Sequence, residues 1–314
     1  MGELRKDYIL DRWVVYSVGR GARPHEFQES HIIVPEKTCF FCPGNEELTP
    51  AEIGRVGTKD KWQIRWFSNK FPALEPKEPA EPRTDNKFYT FANNYGYHEI
   101  ITETPEHSKQ LSELSVKEIK DVLDVYRRRI EELSKKPNIK YVNVIKNHGY
   151  HAGTSLVHSH SQVFATAIVP PVVMEKISAV RKFVSCPYCA VVEAEKNSER
   201  KCFENSDWLA FCPYASRYNY EIWIFPKKHI RNLGEVKDLM PLAEIMQKVL
   251  SRLGKSNISY NYYLTYSPSG EDLHFHIEVM PQIAIYGGFE RGSGAIINSV
   301  LPECAAEFYR NEGK

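Results

Sequence analysis

Two stretches of the chain carry the same order of hydrophobic and polar positions. Residues 95–111, YGYHEIITETPEHSKQL, and residues 218–233, YNYEIWIFPKKHIRNL, each begin as an aromatic-rich run, turn at a proline and reach a histidine. An amphipathic segment follows in both. In the first, Ser115 and Glu118 have the spacing of a capping box, and Ile119, Val122, Tyr126, Ile130 and Leu133 recur along one helical face. In the second, a helix is expected to open near Pro241, to carry Leu242, Ile245, Val249 and Leu253, and to stop at Gly254. Each is succeeded by an alternating strand pattern, YVNVIKN over 141–147 and SYNYYLTYS over 259–267, and then by an H-x-H segment.

Strand, helix, strand, strand thus occurs twice. Short adjacent strands without long helical crossovers predict a mostly antiparallel sheet with helices packed on one side, an α+β fold. The join falls in PPVVMEKISAVRKF (170–183) and divides the chain into residues 1–172 and 173–314. With 314 residues and 42% apolar content, the chain can build such a duplicated core.

Charge is balanced, 41 basic against 40 acidic side chains for a net +1, so no general field draws nucleic acid or anionic lipid. Phosphate recognition must be local. Tyr95, Tyr97, Tyr218, Tyr220 and Trp223 alternate along strands as core residues do, rather than forming a stacking platform on a basic face. No run of about 18 uncharged apolar residues occurs, and MGELRKDYILDRWVVYS lacks the apolar core of a signal peptide. The expectation is a soluble, cytoplasmic protein with no nucleic-acid or membrane partner.

The repeat also carries chemistry. Cys39, Cys42, His107 and His158 recur in order as Cys186, Cys189, His229 and His274. Two thiolates and two imidazoles suit a tetrahedral zinc ion, so two structural zinc sites per chain are expected. The repeat register alone selects His274; either His274 or His276 could complete the second set. Of the seven cysteines, Cys202, Cys212 and Cys304 are left over and read as buried thiols.

In a continuous strand His158, His160 and Gln162 would share one face at roughly 7 Å intervals. With His158 committed to a metal, His160 is spare. The preceding segment NHGYHAGTS (147–155) is Gly-rich and polar, suited to wrapping backbone amides and the Ser155 hydroxyl around phosphate oxygens. A neutral imidazole attacks phosphorus readily, and its N-phosphoryl bond passes the group onward. Gln162 can donate to a phosphate oxygen but cannot take a proton from water, so a covalent intermediate would wait for a phosphate acceptor. Glu278 stands where Gln162 would in the second half; a carboxylate there would repel phosphate, so one chemical centre per chain is expected.

At these residues the chain resembles the galactose-1-phosphate uridylyltransferase family, the transferase branch of the histidine triad superfamily. The resemblance runs from RKDYILDRWVVYS to GGFERGSGAIINSVLPE. It implies two tandem histidine-triad-like repeats, and a ping-pong cycle in which His160 takes a uridylyl group from UDP-glucose and passes it to galactose 1-phosphate while Gln162 holds the phosphate. It also implies substrate contacts from Arg20 and Arg23, from Asn69 and Phe71 in NKFPAL, from Asn147 and Ser155, and from Glu290 in GGFERG. A homodimer is implied, with Glu290 reaching the partner's site. Lys70 stands where the family has Asp, Phe289 where it has Tyr, and PQIAIYGG lacks the family's lysine. The AGTSLVHSHSQ stretch and the complete second C-x-x-C set are also similar to the ADP-glucose phosphorylases of this fold, which pass the nucleotide to phosphate.

Overall fold

Both expected helices form where their apolar stripes find a sheet to cover. The computed structural model describes residues 3–10, 12–16, 39–77, 82–85 and 87–311. Up to residue 166 the chain supplies Glu3–Lys6 (β1), Trp13–Tyr16 (β2), Glu52–Gly57 (β3), Trp62–Ser68 (β4), Arg83–Asp85 (β5), Tyr89–Phe91 (β6), Gly96–Thr102 (β7), Val116–Ser134 (α1), Tyr141–His148 (β8) and His160–Thr166 (β9). Thereafter come Pro171–Val180 (α2), Pro187–Glu195 (α3), Lys201–Glu204 (β10), Trp208–Phe211 (β11), Ile222–Pro226 (β12), Met240–Lys255 (α4), Tyr260–Thr265 (β13), His276–Pro281 (β14), Gly288–Ser293 (α5), Ile296–Asn298 (β15) and Pro302–Arg310 (α6).

Ten strands form one sheet in the order β10-β11-β12-β14-β13-β8-β9-β7-β4-β3, and every pairing in it is antiparallel. The two strand-helix-strand-strand units are β7-α1-β8-β9 and β12-α4-β13-β14. They meet where β8 pairs with β13, with Asn147 opposite Asn261. Outward from that seam the order is the same on both sides, as a duplicated unit requires. The helices α1 and α4 pack on each other, and α1 lies on β8 and β9. Ile119, Val122, Tyr126, Leu133, Leu242, Ile245, Val249 and Leu253 are all buried in the layer between helices and sheet. The Ser115 and Glu118 capping box is present as read, each residue's side chain accepting from the other's backbone N–H.

Three local expectations need correction. The strand of each H-x-H segment begins at its second histidine, so His158 and His274 precede β9 and β14 instead of continuing their alternation. The helix α4 does not stop at Gly254 but runs to Lys255; a Cβ on Gly254 would stand 2.6 Å from Ser112 Oγ, so that glycine serves a close crossing. Cys202 and Cys212 are buried thiols, but Cys304 is exposed on the solvent side of α6, whose inward positions are Ala305, Ala306 and Tyr309.

A second, three-stranded sheet joins β1 and β2 to β15. The described residues between 3 and 16 therefore lie against the C-terminal part of the chain, where Arg5 donates to Glu303 at 2.9 Å and the Tyr8 hydroxyl donates to Glu195. Among the described residues no helix is long and apolar enough to cross a membrane.

Candidate active site

Loops at the end where β7 finishes and β9 begins gather the first cysteine-histidine set. Cys39 and Cys42 lie on a turn, His107 follows the Pro105 turn after β7, and His158 ends the loop before β9. Cys42 Sγ is 3.3 Å from His107 Nδ1 and 3.5 Å from His158 Nδ1, and Cys39 Sγ is 3.6 Å from His158 Nδ1. A tetrahedral ion with metal–sulfur bonds of about 2.3 Å and metal–nitrogen bonds of about 2.0 Å separates sulfur from nitrogen by about 3.5 Å. The donor set therefore fits a metal ion without rearrangement. The His158 Nε2–H donates to the Thr104 carbonyl at 2.8 Å, which leaves Nδ1 as the ligand nitrogen.

Cys186, Cys189, His229 and His274 form the second set, with Cys189 Sγ 3.3 Å from His229 Nδ1 and 3.6 Å from His274 Nδ1. This resolves the choice between histidines. His276 is turned away, its Nδ1–H donating to the His274 carbonyl at 2.8 Å. His229 donates through Nε2 to Asp272 at 2.8 Å, the outer partner that a ligand imidazole commonly has. Two Cys2His2 groups able to hold metal ions are thus present.

His160 opens β9 beside the first set but belongs to neither. Its Nδ1 lies 2.8 Å from the His158 carbonyl oxygen; a carbonyl only accepts, so Nδ1 carries the proton and Nε2 the lone pair. Among the described residues Nε2 has no hydrogen-bond partner. Burial, then the nearby Lys146 ammonium, pushes the ring's pKa down to about 4, so the imidazole is neutral at pH 7. The edge of Phe41 packs against it with centroids 5.3 Å apart.

Two clefts converge on this ring. One, of about 310 Å³, has aromatic walls from Phe40, Phe41, Phe67 and Phe71, with Asn69, Lys70 and Gln162 at its edge. The other, of about 520 Å³, runs over the 149–155 segment past Asn147 near the end of β8, Tyr150 and Ser259. Ser155, Leu156 and His160 line both. Gly149 allows the loop to lie close to β13: its φ is +83°, and a Cβ there would stand 2.1 Å from Ser259 Oγ.

The structure brings together His160, Gln162, Asn69, Phe71, Asn147 and Ser155 around these clefts. Asn147 is held through its Oδ1 by Asn261 at 2.8 Å. Glu290 lines neither cleft; its carboxylate accepts from the Gly287 N–H at 2.9 Å and caps α5. Arg20 and Arg23 lie outside the described residues.

Reading the sequence missed three residues of this region. His98, on β7, donates from Nε2 to Gln162 Oε1 at 2.9 Å. Lys146 and Glu103 form a buried ion pair beneath the 158–161 segment, which the Ser159 hydroxyl joins by donating to Glu103 at 2.6 Å. A signal for Lys146 existed: the alternation of YVNVIKN puts it on the same face as Val142 and Val144, a core position for a charge that then needs a partner.

The second half repeats the frame but not the access. His276 is fully buried, stacked on Phe225 with centroids 4.4 Å apart, and its Nε2 accepts from Lys176 Nζ at 3.1 Å. Glu278 does not face a ligand site; Lys176 and Arg217 neutralise it in the interior. What closes the second half to a ligand is therefore the burial and hydrogen bonding of His276, and repulsion by the Glu278 carboxylate takes no part in it.

A family model described as galactose-1-phosphate uridyl transferase, N-terminal domain, matches residues 2–170. Among curated proteins, an ADP-glucose phosphorylase of Arabidopsis thaliana is 35% identical over 98% of this chain and 92% of its own length. A galactose-1-phosphate uridylyltransferase of Thermotoga maritima is 28% identical over 99% of this chain and 98% of its own. Among solved structures, the Arabidopsis thaliana ADP-glucose phosphorylase with bound ADP-glucose superposes with a TM-score of 0.84 at 30% identity, covering 100% of both chains. A uridylyltransferase structure gives 0.76 at 26% identity over 99% of this chain and 98% of its own.

Proposed function

Because the chain belongs to the galactose-1-phosphate uridylyltransferase family, we propose that it is a nucleotidyltransferase working through a covalent bond to His160. UDP-glucose is the donor and galactose 1-phosphate the acceptor. The observation that carries this reading is the unprotonated Nε2 of His160 at the meeting of two clefts. In the first half-reaction that lone pair forms an N–P bond to the nucleotide's α-phosphorus, and the P–O bond to glucose 1-phosphate breaks. The Nδ1–H keeps its proton and goes on donating to the His158 carbonyl, which steadies the ring as it gains positive charge. In the second half-reaction a phosphate oxygen of the acceptor forms the new P–O bond, and the N–P bond breaks.

Gln162 donates its amide N–H to a non-bridging oxygen and offers no base to activate water. The aromatic cleft takes the nucleoside through Asn69 and Phe71, with Arg20 and Arg23 on the diphosphate. The larger cleft takes the sugar phosphate through Asn147 and Ser155. Zinc is the ion proposed for both Cys2His2 groups, where it would supply a structural cross-link. The enzyme acts in the cytoplasm as a homodimer in which Glu290 completes the partner's site; recovery of activity in mixed dimers of His160→Ala and Glu290→Ala chains reads this out, and inactive mixed dimers would refute it.

A second reading, ADP-glucose phosphorylase, is favoured by the 35% identity to the Arabidopsis thaliana protein. The deciding experiment offers UDP-glucose or ADP-glucose with galactose 1-phosphate or inorganic phosphate and follows glucose 1-phosphate release. Turnover with the UDP-glucose and galactose 1-phosphate pair is expected. Turnover only with ADP-glucose and phosphate would transfer the assignment to the second reading.

A further inference from the structure

The two ends of the Gln162 amide are alike in shape and opposite in chemistry: the NH2 donates to a phosphate oxygen, whereas the C=O would oppose it. Which end faces the cleft decides whether the residue helps. We infer that His98 is a positioning residue that holds the Gln162 amide with its oxygen inward and its NH2 toward the His160 cleft. This rests on the nucleotidyl-transfer reading and deepens it.

The tautomer of His98 follows from its neighbours. The Ala73 backbone N–H meets Nδ1 at 3.1 Å, and a backbone N–H only donates, so Nδ1 carries the lone pair. In the neutral ring the proton is then on Nε2. That N–H lies 2.9 Å from Gln162 Oε1 and commits the amide oxygen. The NH2 is left for the cleft that Gln162 and His160 both line. Asn69 Nδ2 stands 3.1 Å from the same Nε2, but two N–H donors do not bond, and Asn69 Oδ1 is fixed by the Phe71 N–H at 2.9 Å. The Asn69 amide nitrogen therefore also keeps hydrogens for substrate.

Sheet register explains why the ring can do this. Ile100 on β7 stands opposite Gln162 on β9, and His98 stands opposite Phe164, so His98 reaches Gln162 along the diagonal. Phe164 holds the imidazole in a stack with centroids 3.9 Å apart and planes at 24°. Burial keeps the ring neutral by lowering its pKa. An amide does not relay protons, and His98 lines neither cleft, so it is not itself an acid or base in the transfer.

The test uses the full chain and two variants. His98→Phe keeps a flat ring against Phe164 and removes the N–H; His98→Asn restores an amide donor. The rate of nucleotidyl-enzyme formation is read by intact mass in single turnovers with UDP-glucose and with ADP-glucose. His98→Phe is expected to slow the step about ten- to a hundredfold at saturation while half-saturation moves less than about threefold, and His98→Asn is expected to recover part of the loss. A folded His98→Phe enzyme reacting at the wild-type rate overturns the inference.

If the wild type forms no adduct with either nucleotide sugar, the transfer reading itself fails, and ¹⁵N spectra of the histidine rings still decide the geometry. The same spectra decide it if His98→Phe does not fold. An Nε2–H tautomer for His98, with its Nε2 resonance displaced in Gln162→Leu, supports the hold. An Nδ1–H tautomer, or an unmoved resonance, overturns it.

Discussion

Lys146 Nζ lies 3.0 Å from the backbone carbonyl oxygen of His160, and it reaches that oxygen from within a buried ion pair with Glu103. The peptide unit of the proposed nucleophile is thus anchored by a charge inside the sheet. Lys146 also donates to Ser159 Oγ at 3.0 Å, and Glu103 accepts from the Tyr126 hydroxyl at 2.9 Å. Replacing Lys146 with Met would leave Glu103 uncompensated and is expected to cost about 3–5 kcal/mol of stability. In urea unfolding the Glu103→Gln/Lys146→Met double variant should be more stable than Lys146→Met alone. A single variant as stable as wild type would contradict the anchor.

Glu103 also sets an acid limit. Burial alone would raise its pKa, but the Lys146 ammonium and the Ser159 and Ser161 hydroxyls outweigh burial and hold it below the usual carboxylate value. The folded pKa is therefore lower than an unfolded value of about 4.3, so the stabilisation is fully present above about pH 4.3 and is lost as pH falls through the folded value. The stability difference between wild type and Glu103→Gln should shrink steadily below about pH 4. A difference independent of pH would show that this carboxylate is not linked to folding.

Both Cys2His2 groups are closed four-donor sets with no position left for substrate, so their ions should act on the fold before the chemistry. Chelation is expected to lower the thermal midpoint, and metal analysis should find two ions per chain. Chelated protein that keeps its midpoint but no longer forms the nucleotidyl adduct would assign an ion to catalysis instead.

His276 is the positional counterpart of His160, yet its Nε2 is occupied by Lys176 and its ring is enclosed. His276→Leu should cost about 1–3 kcal/mol, because Lys176 loses an acceptor, and should leave adduct stoichiometry at one per chain. Two nucleotidyl groups on the wild-type chain would show the second half to be reactive.

Elements whose identity depends on local pattern were legible in the sequence. The Ser115 cap, the Leu242 to Leu253 stripe and the first cysteine-histidine set needed only spacing and the repeat, whereas the last member of the second set stayed open between His274 and His276 until the fold brought His274 Nδ1 to Cys189. What was not legible depends on register and on close approach. His98 meets Gln162 because β7 and β9 pair with Ile100 opposite Gln162, an offset no one-dimensional pattern states. Gly254 looked like a helix stop because the nearness of Ser112 cannot be seen along the chain. The His158 ring belongs to a bend and not to the strand, because its Nδ1 must turn toward Cys39 and Cys42.

The most direct measurement is the intact mass of the enzyme after incubation with UDP-glucose and no acceptor. One uridylyl group per chain is expected, stable in base, released in acid and absent from His160→Ala. An unchanged mass with both UDP-glucose and ADP-glucose, or an adduct that persists in His160→Ala, would contradict covalent transfer through this imidazole.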